Sequence, residues 1–217
     1  MDLEKARFNM IEQQIRPWDV LNDTILSLLQ RIKREEYVPE DYRAMAFMDL
    51  EIPLGHGESM LSPKVEARLV QELHLDPTDK VLEVGTGSGY MTALLASLAG
   101  HVHSVEIIRE FSQAAAQKLV AHDISNVTCE IGDAARGWQK HAPYDVIVVT
   151  GSLPLLPDEF IAQLKPGGRL LAFIGLAPAM EARLTRLIEP GVIDSEVIFE
   201  TDVRALKNAP QPAQFAF

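Results

Sequence analysis

From Pro63 to about Gly175, short apolar runs alternate with segments whose apolar residues recur every three or four positions. The runs "KVLEV", "HVHSVEI", "NVTCEIGD", "YDVIVVT" and "RLLAFIG" have the length and β-branched content of strands. Between them lie three helical segments: "SGYMTALLASLAG", ended by Gly100, "REFSQAAAQKLVAHD", and "PDEFIAQL", stopped by Pro166-Gly167-Gly168. Continuous apolar strands are covered on both faces, and strands separated by helices pair in parallel. The pattern therefore predicts a doubly wound α/β fold with a mostly parallel sheet. Before it, Asn22 or Asp23 can cap "TILSLLQRIKREE", whose Ile25, Leu28, Leu29 and Ile32 share one face. "YVPEDYRAMAFMDLEIPLGHG" then breaks into short pieces at Pro39, Pro53, Gly55 and Gly57. After Met180, "EARLTRLI" and "DSEVIFETDV" flank Pro190-Gly191 and predict an antiparallel hairpin on the sheet edge. The expected organisation is one domain over 1–217: a helical cap and substrate-side segment (1–62), a ligand-binding core (63–175), and a C-terminal hairpin and tail (176–217).

Charge and composition narrow the class. The 217 residues carry a formal charge of −11 and a pI of about 5.0, a field that repels phosphodiesters, so no nucleic-acid partner is expected. No apolar run approaches the length of a membrane span, so no membrane association is expected. "MDLEKARFNMIEQQIR" is amphipathic and mixed in charge, unlike a secretory leader. Cys129 is the only cysteine, which excludes an intrachain disulfide and cysteine-based zinc sites and suits a reducing cytoplasm, the expected location. His101 and His103 share a strand face, but the sequence offers no evident third ligand, so no metal is expected.

The chemistry concentrates in "VLEVGTGSGY". The turn after the first strand of an open α/β sheet is a common ligand site. Here its glycines are spaced G-x-G-x-G, neither the dinucleotide G-x-G-x-x-G nor a phosphate loop ending in Gly-Lys-Ser/Thr. Glu83 before the loop opposes a pyrophosphate but suits a cationic ligand such as S-adenosylmethionine, with its sulfonium and ammonium groups. Glu106, seventeen residues past Gly89 at the end of the second strand, is placed to accept both ribose hydroxyls, and Asp133 after the third to bind the adenine amino group. The expected cofactor-binding set is Glu83, Gly85, Thr86, Gly87, Ser88, Gly89, Glu106, Gly132, Asp133 and Thr150.

With "YVPEDYRAMAFMD", "IPLGHGESMLSP", "VLEVGTGSGY", "HVHSVEI", "NVTCEIGDAARGW" and "APYDVIVVTGSLPLLPDEFIAQLKPGGRL", the chain resembles the protein-L-isoaspartate (D-aspartate) O-methyltransferase family over roughly 37–175. The resemblance implies S-adenosylmethionine as cofactor and isoaspartyl polypeptides as substrate, methylated on the free α-carboxylate. It also implies a hydroxyl where the family's Gln-Thr-Ile-Ser-Gln-Pro has its serine. Here the segment reads Glu58-Ser59-Met60-Leu61-Ser62-Pro63, so Leu61 takes the serine place and Ser59 the threonine place. In an extended segment Ser59 and Leu61 project to one side and Ser62 to the other. Ser59 and Ser62 are the candidate replacement hydroxyls, and His56 and Leu61 the expected substrate-side lining. Two alternatives stay open: a different acceptor, such as a small carboxylic acid or phenol, and a weakly catalytic cofactor-binding sensor.

Overall fold

The structure, a computed structural model, describes residues 2–212. A small antiparallel hairpin, β1 (Ile52–Gly55) and β2 (Glu58–Met60), precedes the main sheet. The sheet is built from β3 (Lys80–Val84), β4 (His101–Glu106), β5 (Val127–Ile131), β6 (Tyr144–Leu153), β7 (Leu164–Leu176), β8 (Ala179–Glu189) and β9 (Val192–Thr201). Their order is β5-β4-β3-β6-β7-β8-β9, parallel from β5 to β7 and antiparallel from β7 to β9. Val81, Leu82, Val146, Ile147 and Val148 are fully buried, as expected for central strands covered on both faces. The helices joining these strands are α3 (Pro63–Leu73), α4 (Tyr90–Ala96), α5 (Arg109–Ala121) and α6 (Asp158–Ala162), with α1 (Leu3–Met10) and α2 (Asp23–Arg31) in the N-terminal cap. No described helix is long and apolar enough to cross a membrane.

Two elements depart from the sequence pattern. The Asn22 side chain caps α2 by accepting from the Thr24 and Ile25 N–H groups, but α2 ends at Arg31 rather than running to Glu36. Ile32 is extended and Arg34–Glu36 form a 3-10 turn. The cause is tertiary. Arg34, 1% exposed, reaches Glu66 on α3 at 2.9 Å, while Glu35 turns inward to Arg7 of α1. A continued helix could not aim both charges at these partners. The second departure is Pro166-Gly167-Gly168, which lies inside β7 rather than before it. Tyr144 pairs with Leu164, and pairing resumes at Val146 with Arg169, so the intervening residues bulge out, with Gly167 at φ +79°.

Beyond β9 the chain forms a strap over the end of β6. The Ser152 N–H donates to the Arg204 carbonyl, the Leu206 N–H donates to the Ser152 carbonyl (both 2.9 Å), and the Ser152 hydroxyl donates to the Val203 carbonyl. Gly151 permits this, because a Cβ there would stand 3.1 Å from the Leu206 backbone. No periodicity in "VRALKN" announces the strap.

Candidate active site

The connections reverse at β3, which pairs with β4 on one side and β6 on the other, and a crevice opens beyond the carboxyl ends of these strands. It holds an open cleft. The glycine loop forms one wall. A Cβ on Gly85 (φ +95°) would collide with Thr150 Oγ1, and that hydroxyl is directed at the carbonyls of Val84 and Gly85, at 2.9 and 2.8 Å. Thr150 thereby ties the end of β6 to the loop. Gly89 (φ +84°) lets α4 start against α5, since a Cβ there would meet Ala115 Cβ at 2.9 Å.

Glu106 is 6% exposed and lines the cleft. Its Oε2 accepts the Gly87 N–H and its Oε1 the Ile108 N–H, both at 2.9 Å. Two backbone donors thus fix the carboxylate, and each oxygen keeps a second lone pair for a ligand hydroxyl. Gly132 and Asp133 line the cleft farther along. Asp133 Oδ1 accepts the Ala135 N–H at 3.0 Å, and Oδ2 accepts from Asn208 of the strap at 2.8 Å. The Trp138 ring lies over Gly132, where a Cβ would strike it.

Glu83 does not face the cleft. It is fully buried behind the loop, and its Oε2 accepts hydroxyls from Thr92 (2.5 Å) and Ser104 (2.6 Å). Since the Ser104 proton goes to Glu83, the 2.6 Å contact between Thr86 and Ser104 has Thr86 as donor, giving a relay that locks the loop to β4. Its place just before the glycine loop suggests a carboxylate that meets a cationic ligand. The pleat instead turns Glu83 into the layer between β3, β4 and α4. Burial pushes its carboxyl up to about 8, and the two hydroxyls offset that only in part. Its folded pKa lies above the ordinary 4.5, so its contribution to stability is fully present below pH 4.5 and lost as pH rises towards 8. Glu83→Gln abolishes that titration. Between pH 5 and 8 its stability relative to wild type is expected to rise by about 1.4 kcal/mol per pH unit, checked by denaturant unfolding, with cofactor affinity unchanged.

Thr86 and Ser88 line a smaller side chamber next to Leu61 and Met91 rather than the main cleft, and the Ser88 hydroxyl accepts the Tyr90 N–H at 3.3 Å. On the opposite wall, Gly55-His56-Gly57 form the tight turn between β1 and β2, all three with positive φ. The His56 ring packs edge-on against Phe111 at 5.5 Å and does not line the cleft. Ser59 and Leu61 do, while Met60 between them points into the core, as the two-residue period of an extended segment requires. The Ser59 hydroxyl donates to Glu51 at 2.5 Å. Ser62 starts α3 facing an outer groove that also contains Leu61, away from the cleft.

Three features were not foreseen from the sequence. Arg34 donates to the Leu61 carbonyl at 2.6 Å and sets the wall's position. Strap residues Val203–Lys207 line the cleft, and Lys207 meets Glu58 of β2 at 2.5 Å, joining strap to hairpin across the mouth. Asn208 holds Asp133. Partners so distant in sequence leave no local signal.

A sequence model of the family described as protein-L-isoaspartate (D-aspartate) O-methyltransferase matches residues 5–197. The chain belongs to this family. The protein-L-isoaspartate O-methyltransferase of Aliivibrio fischeri is 37% identical over 195 residues, which cover 90% of this chain and 93% of that one. A solved protein-L-isoaspartate O-methyltransferase superposes with a TM-score of 0.79 at 27% identity, over 94% of this chain and 66% of that one. A Plasmodium falciparum structure described as the same enzyme type, in complex with S-adenosyl-L-homocysteine, shares the fold (TM-score 0.76, 18% identity, 95% of this chain and 99% of that one). Protein-L-isoaspartate O-methyltransferases use S-adenosylmethionine, and the cleft fits that cofactor. The pre-held Glu106 carboxylate suits a ribose diol, and the glycine wall leaves room for close backbone approach.

Proposed function

We propose that this chain methylates the α-carboxylate of L-isoaspartyl residues in polypeptides, using S-adenosylmethionine, as a single catalytic unit in the cytoplasm. The observation that carries the reading is Glu106, set at the cleft by two backbone donors beside the glycine loop in a chain of this family. In this assignment Glu106 accepts the ribose hydroxyls, Asp133 the adenine amino group, and Gly85 and Gly87 admit the cofactor's chain. Thr150 holds the loop that positions it. Bound S-adenosylmethionine supplies a methyl group on a positively charged sulfur.

An ionised carboxylate acceptor needs no general base at neutral pH, so the protein's task is to orient the acceptor oxygen and limit water. Ser59, Leu61 and the strap form the wall available for this. Leu61 gives that wall no hydroxyl, and Ser59 is already committed to Glu51. Labelled methyl transfer to an isoaspartyl peptide, with the normal aspartyl peptide as control, is the test. Transfer to the isoaspartyl peptide is expected, and Leu61→Ser is expected to accelerate it by roughly five- to 150-fold, equivalent to one added hydrogen bond of about 1–3 kcal/mol. Cofactor binding without transfer in either variant rejects the isoaspartyl assignment.

The apolar Leu61 on the cleft wall favours a second reading, a different acceptor such as a phenol. Retained transfer to phenols with none to isoaspartyl peptide supports it.

A further inference from the structure

Away from the cleft, the sheet edge gathers a cluster that the methyltransferase reading does not use. His101 and His103 project from one face of β4, Glu130 reaches the same face from β5, and His141 closes over them from the 3-10 turn Gln139–His141. The sequence offered no third ligand beside the two strand histidines, but folding brings two more donors to His103. One donor atom from each of His103, Glu130 and His141 lies within 4.8 Å of the others, and none of these residues lines the cleft. His103 is 9% exposed, and its Nδ1 has no hydrogen-bond partner among the described residues. His141 Nε2 is buried without hydrogen-bonding geometry, although it stands 2.8 Å from Glu130 Oε2. Two buried ring nitrogens without a hydrogen bond, one of them beside the Glu130 carboxylate, leave three donor residues gathered as an incomplete coordination shell. We propose that His103, Glu130 and His141 bind one divalent transition-metal ion of the Zn²⁺ class.

The surroundings select the class of ion. Lys140 holds the other oxygen of Glu130, and Lys80 Nζ donates to the His141 carbonyl at 2.8 Å. A set of two imidazoles and one carboxylate, with an ammonium already on that carboxylate, offers too few oxygens for Mg²⁺, which binds through oxygen ligands. Zn²⁺, Co²⁺, Ni²⁺ and Cu²⁺ bond strongly to neutral imidazole, which supplies two of the three donors. The Trp138 indole N–H, 2.8 Å from Glu130 Oε2, and Lys140 orient the carboxylate as outer partners do around metal ligands. The His103 and His141 rings are stacked at 4.0 Å and 13°, so their in-plane lone pairs do not meet at one point until one ring turns. His141, with 27% of its side chain exposed at the rim, is the one with room to turn. Ligation at about 2.0–2.1 Å would then draw the donors together, with water completing the shell.

Titrating chelator-stripped protein with Co²⁺, followed by visible absorption, and with Zn²⁺, followed by calorimetry, tests this. One equivalent is expected to bind, and Mg²⁺ is not. His141→Gln, at the rim where folding is least at risk, and His103→Gln should each weaken Zn²⁺ binding by about 100-fold or more, beyond the loss of an outer-shell partner. His101→Gln and His74→Gln should retain wild-type affinity, separating this site from general histidine binding, with circular dichroism reporting the fold of every variant. Absence of stoichiometric binding to wild type, or wild-type affinity in folded His141→Gln, overturns the proposal.

Discussion

Glu106→Ala is expected to weaken S-adenosylmethionine binding by about two to four orders of magnitude. Two charge-assisted hydrogen bonds to a ribose diol contribute about 1.5–3 kcal/mol each, and every 1.4 kcal/mol is a factor of ten. The variant also releases the Gly87 and Ile108 N–H groups that Glu106 holds, so the glycine wall loses its anchor along with the ligand contact. Glu106→Gln separates these effects. Its amide oxygen still accepts one backbone N–H, but its NH₂ group faces the other, so an intermediate loss is expected. Calorimetric titration of the three proteins is the check. A loss below tenfold for Glu106→Ala removes Glu106 from the cofactor site, whatever the methyl acceptor proves to be.

Arg34→Met is expected to destabilise the fold by about 3–5 kcal/mol at neutral pH, because it leaves the Glu66 carboxylate buried without its cation. The Arg34 guanidinium also donates to the Ala46 and Leu61 carbonyls at 2.6 Å, so the variant loosens the wall carrying Ser59 and Leu61. Burial already raises the Glu66 carboxyl to about 7, with Arg34 pulling it back down. Removing Arg34 raises it further. A carboxyl whose folded pKa lies above its unfolded value contributes stability below the unfolded value and loses it as pH rises through the folded one. The Arg34→Met penalty should therefore be largest above pH 7 and shrink towards pH 5, where Glu66 is protonated in the folded variant. Denaturant unfolding of both proteins at pH 5 and 8 measures this, and a pH-independent difference contradicts the pairing.

Local pattern was enough for the strand and helix order from Lys80 to Leu176, because each element is specified by its own period of apolar residues and its own glycine or proline stops. It also marked the Gly85–Gly89 turn, where residues adjacent in sequence are adjacent in the site, and placed Glu106 at the cleft, since the end of a parallel strand beside the switch point leads there. The hairpin of β8 and β9 was legible for the same reason. Side-chain direction at strand ends was not. Glu83 and Glu106 look alike in sequence, yet the pleat and the hydroxyls of Thr92 and Ser104 draw one behind the loop while the backbone donors of Gly87 and Ile108 hold the other at the cleft. Tertiary structure alone ended α2 at Arg31, since the reward for breaking that helix lies on α1 and α3. It alone laid 203–208 across the cleft and brought His141 and Glu130 to His103. These contacts join residues far apart along the chain, and no local period records a partner that only folding brings near.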